Sequence, residues 1–238
     1  MIPEERKIQK LFRKGCAEYG LLEDGDRILI ALSGGKDSLE LVRLLAGQQR
    51  IYKPHISVEA AHVLMDNIPY ETDRSYLSRF CENVGVKLHI LHTSFEEREG
   101  SKKPRCFLCS WARRKTLFSF ATDNGFNKIA LGHHQDDILV TLLMNMAFEG
   151  SIQTMPPRLT MEHYPVTVIR PLCLVPESLI AAVAETEGFE KLKTACPYEQ
   201  ITRRQSMTEM FHRLEEMNPE ARYSLWNSMR NIHKDLLP

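Results

Sequence analysis

The chain has 238 residues, 43% hydrophobic and 26% charged, the balance of an ordinary soluble globular protein and not of a disordered or fibrous one. Lys plus Arg (31) equals Asp plus Glu (31), so no overall positive field advertises nucleic acid. Six cysteines are too sparse for a disulfide scaffold. With no signal-type apolar run in Met1–Lys7, they indicate a cytoplasmic chain whose thiols bind metal or do chemistry.

In chain order, residues 4–19 have the spacing of an amphipathic helix opened by Pro3, with Ile8, Leu11, Phe12 and Cys16 on its apolar side. Arg27 to Leu32 is a short apolar run ending in glycines, a buried strand entering a turn. Ser38 to Gln49 predicts a helix, Ile56 to Met65 a strand, Glu71 to Val84 a helix, and Val86 to His92 a strand. Cys106 to Asp123 predicts a helix with Trp111, Leu117 and Phe120 inward. Lys128 to Leu131 reads as a fourth strand, Asp136 to Phe148 as a helix, Met155 to Arg158 as a proline-broken loop, and Val166 to Ile169 as a fifth strand. After Pro171 only helices are predicted: Pro176 to Glu187, Glu199 to Met217 and Pro219 to Lys234. The longest nearly apolar stretch, Ile138 to Phe148, falls well short of the about 20 residues a bilayer span needs.

Alternating strands and helices predict an α/β fold of Rossmann-like type, a mainly parallel sheet covered by helices on both faces, followed by C-terminal helices. The expected division is residues 1–172 for the α/β domain and 173–238 for a helical extension. Ligands of such sheets bind beyond the carboxyl ends of the strands. Those ends carry the turn at 33–38, the segment 62–66, and Gly132-His133-His134.

Ser33-Gly34-Gly35-Lys36-Asp37-Ser38 lies between a strand and a helix. Its glycines let backbone N–H groups approach an anion, the helix amino terminus adds partial positive charge, and Lys36 can neutralise phosphate. The spacing is neither that of a Walker loop nor that of the dinucleotide G-x-G-x-x-G pattern. The plain alternative is a glycine turn with a solvated lysine. Gly132-His133-His134-Gln135-Asp136-Asp137 places two carboxylates at a helix start, where they either hold Mg²⁺ beside phosphates or cap the helix.

Cys106-Phe107-Leu108-Cys109 opens a helix. Alone it is compatible with zinc, an iron–sulfur cluster, a redox pair, or no site. With Cys196 as a third thiolate, the set fits a site with one open position. Cys16, Cys81 and Cys173 have no partner at ligand spacing, and Cys16 and Cys81 read as core. Seven basic residues from Arg98 to Lys115 (Arg98, Lys102, Lys103, Arg105, Arg113, Arg114, Lys115) face only Glu99, a local excess that encloses the C-x-x-C and suits RNA phosphates. Arg203 and Arg204 extend the same patch.

The six residues 33–38 resemble the PP-loop of the ATP pyrophosphatase superfamily, whose members cleave ATP between the α and β phosphates. The order PP-loop, C-x-x-C, Gly-His-His-x-Asp-Asp, Met-Pro-Pro-Arg-Leu, Val-Ile-Arg-Pro-Leu and late cysteine resembles the tRNA 2-thiocytidine synthetases over about residues 20 to 210. That resemblance implies an adenylating tRNA sulfurtransferase forming 2-thiocytidine in the anticodon loop, with AMP and pyrophosphate released. It implies a [4Fe–4S] cluster on Cys106, Cys109 and Cys196, the fourth iron binding the sulfur to be transferred. ATP would be bound by Ala31, Ser33, Gly34, Gly35, Lys36, Asp37, Ser38, Arg113, Gly132 and Asp137, with Asp37 and Asp137 also catalytic and Mg²⁺ as cofactor. The partners implied are tRNA and a sulfur donor, a cysteine desulfurase or free sulfide, with a homodimer as a further candidate and no membrane. Relatives in the family carry a second cysteine where this chain has Glu199. The rival readings are a PP-loop ligase or amidotransferase with structural zinc, and a non-catalytic nucleotide- or RNA-binding protein.

Overall fold

The computed structural model describes residues 2–67, 74–95, 104–190 and 203–236. Cys196, Glu199, Arg98, Lys102 and Lys103 lie outside them. Among the described residues the chain forms two compact units, each drawn from two stretches: Met1–His134 with Pro157–Glu199, and Gln135–Pro156 with Gln200–Pro238. A single boundary at 172/173 cannot represent units built in this way.

In the first unit, α1 (Pro3–Glu18) starts on a proline that has no helical N–H to lose, with Glu4 and Glu5 at the positive end of the helix dipole. Ile8, Phe12 and Cys16, at i, i+4 and i+8, are its buried stripe. The sheet contains β1 (Arg27–Ala31), β2 (Ser57–Met65), β3 (Lys87–Thr93), β4 (Lys128–Ala130), β5 (Arg158–Thr160) and β6 (Thr167–Ile169), in the order β3-β2-β1-β4-β6-β5. All pairings are parallel except β5 with β6.

Two-residue alternation sorts the core onto the two sheet faces. Ile28 and Ile30 of β1 pack with α1, α2 (Lys36–Gln49), α3 (Arg74–Val84) and α6 (Glu177–Thr186). Leu29 between them, with Ile129 and Val168, packs on the other face against Leu117, Phe118 and Ala121 of α4 (Arg105–Asp123). The chain runs outward from β1 through β2 to β3 and resumes on the other side with β4. The strand order therefore reverses between β1 and β4, where ligands of such sheets bind.

At the opposite end of the strands, Lys128 is buried and donates to Asp26 Oδ2 (2.7 Å), Glu23 Oε2 (2.9 Å) and the Leu21 carbonyl (3.0 Å). A buried ammonium held by two carboxylates and a carbonyl is a structural staple, and no sequence motif marks it.

The second unit packs α5 (Gln135–Met144) on α7 (Arg203–Met217) through Leu139, Val140, Met207 and Phe211, with Leu225 and Trp226 of α8 (Ala221–Ser228) beside them. The predicted helix Asp136–Phe148 is α-helical only to Met144. Asn145–Glu149 is a π-helical turn closed by Gly150 in the left-handed region at φ 62°. The helix predicted from Pro219 to Lys234 is shorter, because α8 ends at Ser228 and residues 229–233 leave the helix before a 3₁₀ turn at Lys234–Leu236.

Two further expectations are corrected. Arg158, read as the last residue of the Met155–Arg158 loop, instead opens the edge strand β5, with Leu159 opposite Val168. Its three residues are all exposed, so no burial pattern marks it. Trp111, expected inward on α4, is 54% exposed, with Lys115 Nζ 5.2 Å from its ring. Burial on α4 begins only at Ala112.

Candidate functional site

The PP-loop forms at the carboxyl end of β1. The β1 exit is pinned by β2: the Leu32 N–H donates to the Ala61 carbonyl (2.9 Å), and buried His62 donates through Nδ1 to the Leu32 carbonyl (2.7 Å). Gly34 has φ 88°, the left-handed backbone this turn requires and other residues resist. The serines brace the turn internally. Ser38 Oγ donates to the Gly35 carbonyl (2.8 Å) and accepts from the Ser33 hydroxyl (3.1 Å) and the Gly34 N–H (3.2 Å), while Gly35 N–H donates to Ser33 Oγ (3.3 Å). Helix α2 starts immediately after Gly35 with no side-chain cap, so its first-turn N–H groups are available to an anion.

Lys36, expected as the phosphate cation, pairs with Glu177 Oε1 (2.7 Å) and Asp37 Oδ1 (3.1 Å). Burial pulls its ammonium toward the neutral form. The hydrogen bond it donates to Glu177 and the charges of Asp37 and Glu177 outweigh that, so its pKa is raised and the charge is held. Glu177 opens α6 and lies 141 positions from Lys36, too far for spacing to suggest it.

Gly132, just past β4, meets this loop at close range. A Cβ there would sit 3.1 Å from Ser38 N, 3.2 Å from Asp37 C and 3.2 Å from Ser38 Cα. Next to it, buried His134 places Nε2 3.9 Å from Asp37 Oδ1. His133 Nδ1 accepts from Nε of buried Arg170 (3.3 Å), and desolvation lowers the pKa of that guanidinium. Arg170 was not singled out from sequence, although the Arg-Pro-Leu run contains it. Ala31, Ser33, Gly34, Gly35, Lys36, Asp37, Ser38 and Gly132 thus belong to one neighbourhood at the reversal of strand order.

Asp136 and Asp137 follow in sequence but belong to the second unit. Both oxygens of buried Asp136 accept from Arg222 (2.7 and 2.8 Å), which also pairs with Glu215 (2.9 Å) and lies over the Phe211 ring. Burial works against the Arg222 charge, and Asp136 and Glu215 together overcome it, raising its pKa. Asp137 is paired with Arg204 through Oδ1.

Cys106 and Cys109 are one turn apart at the start of α4, the first exposed and the second half-buried against Met65 and Ala112. Met65 ends β2, so this pair lies at the same carboxyl edge of the sheet as the PP-loop. Half-buried Arg113 is one turn further along α4. The other described cysteines are sealed away. Burial pushes Cys81 up to about 11, burial with the charge of Glu18 pushes Cys173 up to about 12, and buried Cys16 is raised further. The carboxyl edge thus holds two accessible thiols while the core holds three inert ones. Among the described residues no three His, Cys, Asp or Glu side chains form a metal-holding group. No helix among them is long and apolar enough to cross a membrane.

A model of the PP-loop domain matches residues 2–204. A tRNA-cytidine(32) 2-sulfurtransferase from Chromohalobacter salexigens is 35% identical over 235 residues, covering 95% of this chain and 82% of the relative. That of Syntrophotalea carbinolica is 36% identical over 231 residues, covering 95% and 89%. The structure of the U34-tRNA thiolase NcsA from Methanococcus maripaludis with its [4Fe–4S] cluster superposes with a TM-score of 0.73 at 26% identity, covering 97% of this chain and 81% of that one. With a PP-loop built at the strand reversal and near-full-length relatives of one name, the chain belongs to the PP-loop family and, within it, to the tRNA-cytidine(32) 2-sulfurtransferases.

Proposed function

We propose that this chain replaces the 2-oxo group of cytidine in a tRNA anticodon loop with sulfur, consuming ATP and releasing AMP and pyrophosphate. The observation that supports it most directly is the uncapped start of α2, with Lys36 charged beside it and Gly132 so close that a Cβ on it would lie 3.1 Å from Ser38 N. Backbone N–H groups at the start of α2 and the Lys36 ammonium hold the β and γ phosphates of ATP. Cytidine O2 attacks the α phosphorus, forming an O–P bond. The bond to the β-phosphate oxygen breaks, and its electron pair leaves on pyrophosphate, whose charge the same groups stabilise. O2 is thereby turned into part of a good leaving group, and the C2–O bond breaks as AMP departs and sulfur takes its place.

The donor sets suit two further groups. Cys106 and Cys109 are an exposed and a half-buried thiol one turn apart at a helix start, and Cys196 would be the third ligand. A [4Fe–4S] cluster bound there would supply sulfur from an iron with an open position. The carboxylates are hard oxygen donors of the kind Mg²⁺ prefers, and Mg²⁺ would neutralise phosphate charge. With both Asp136 oxygens taken by Arg222, Asp137 is the carboxylate of the pair assigned to it. Asp37, on the PP-loop itself, is assigned to the nucleotide, and Arg113 to its phosphates.

Nucleoside mass spectrometry of tRNA from cells lacking the protein tests the substrate: 2-thiocytidine should vanish, and its persistence refutes the assignment. Anaerobically purified protein should hold about four iron and four sulfide, whereas stoichiometric zinc removes the cluster from the reading. Pyrophosphate release that depends on tRNA should be lost in Asp37→Ala protein, and 2-thiocytidine formation in Cys196→Ala protein.

A further inference from the structure

The amino half of α4 carries a surface that the adenylation site does not use. Phe107 and Trp111, one turn apart, are 49% and 54% exposed. Large aromatics that exposed on adjacent turns of a helix form an apolar patch of the kind that marks a binding surface. The same stretch exposes Arg105, Arg114 and Lys115, and α4 has no acidic side chain before Asp123. Lys115 lies over the Trp111 ring, its Nζ 5.2 Å from the centroid, so a cation and a π-face are presented together. Trp111 and Lys115 also wall an open groove of about 590 Å³ whose other side is the end of β3 at Thr93 and Ser94. A cleft of that size is in the range that takes a small ligand or a splayed nucleotide. Cys106 is exposed one residue from Phe107.

We propose that this face of α4 is a stacking platform for unpaired bases of the substrate RNA next to the cytidine being modified, with Trp111 as the principal stacking side chain. Stacking platforms combine aromatic faces for bases with cations for phosphates, and the amino half of α4 has both, the one carboxylate of the groove, Asp123, lying at the far end of the helix. The excess of positive charge favours RNA over an apolar protein surface as the occupant. The inference rests on the tRNA reading above and adds where the flanking bases bind.

The test uses the full-length, cluster-loaded protein and an anticodon stem-loop RNA with cytidine at position 32. In a Trp226→Phe background, Trp111 is the remaining tryptophan, and RNA should quench its fluorescence. Trp111→Ala should weaken RNA binding roughly 5- to 150-fold, with Trp111→Phe restoring most of it. ATP affinity and iron content should be unchanged in both. Unchanged RNA affinity in Trp111→Ala, with parent protein that binds and thiolates RNA, overturns the platform alone. Failure of the parent to bind RNA at all overturns the tRNA reading with it. A shift in oligomeric state at constant RNA affinity assigns the face to a second copy of the chain. Loss of activity only with a protein sulfur donor, and not with free sulfide, assigns it to that donor; either result refutes the proposal.

Discussion

Gly132→Ala gives the sharpest check on the PP-loop geometry, because one added carbon probes the packing of two strand ends. The new Cβ would meet Ser38 N at 3.1 Å, and Asp37 C and Ser38 Cα at 3.2 Å, where ordinary contact begins near 3.4 Å. All three are backbone atoms at the start of α2, so relief requires moving the loop itself by a few tenths of an ångström. Overpacking of this kind costs about 1–3 kcal/mol. At about 2–4 °C per kcal/mol for a chain of this size, Tm should fall by about 2–12 °C. The displaced atoms include the N–H groups assigned to phosphate, so ATP-dependent pyrophosphate release should fall by at least about tenfold as the reacting groups lose alignment. Gly47→Ala, inside α2 with nothing within 4 Å of its Cβ, is the control. It should stabilise by about 0.4–1 kcal/mol and leave activity intact. Calorimetry with a pyrophosphate-release assay reads both. A Gly132→Ala protein with parental Tm and parental release would refute the close approach.

Lys128→Met removes the cation from buried Asp26 and should cost about 3–5 kcal/mol in denaturant unfolding; a loss under 1 kcal/mol would show the staple to be dispensable. Arg222→Met strips Asp136 of its bidentate partner, so hydrogen exchange should accelerate in α5, α7 and α8. Adding Asp136→Asn should cost less than the sum of the single changes, and strict additivity would argue against the pair. In cluster-free protein, iodoacetamide at pH 8 should modify Cys106 and Cys109 ahead of Cys16, Cys81 and Cys173, as peptide mass spectrometry would show. Because the folded-state pKa values of the buried thiols are raised, stability should be whole below their ordinary value of 9.0 and fall as pH rises through about 11 for Cys81 and about 12 for Cys173; a melting temperature flat over that range would contradict their burial.

What could be read from the sequence was what is local. The PP-loop is six contiguous residues whose meaning depends only on the strand before and the helix after, and both are set by short-range pattern. The alternation of Ile28, Leu29 and Ile30 likewise assigns each side chain to a sheet face without knowing what covers it. The partners that tune these groups are distant in sequence: Glu177 is 141 positions from Lys36, and Arg222 is 86 from Asp136. Charge pairs of that kind leave no spacing, and only the fold selects them. β5 escaped for a different reason, since three exposed residues carry no burial signal and its identity comes from pairing with β6.

Trp111 is the instructive failure. Periodicity says that a residue is apolar and on which side of a helix it falls, but not whether anything lies opposite. On α4 the sheet covers positions from Ala112 onward, and the turn before it, with Cys106, Phe107 and Trp111, has apolar side chains without that cover. Leaving them exposed costs hydrophobic stabilisation that an inward-facing register would recover. The same exposure is what thiols and aromatic faces require if they are to meet a substrate as large as a folded RNA. The misreading of Trp111 as core and the inference of a stacking surface thus have one physical origin: large apolar side chains that this turn of α4 leaves facing solvent.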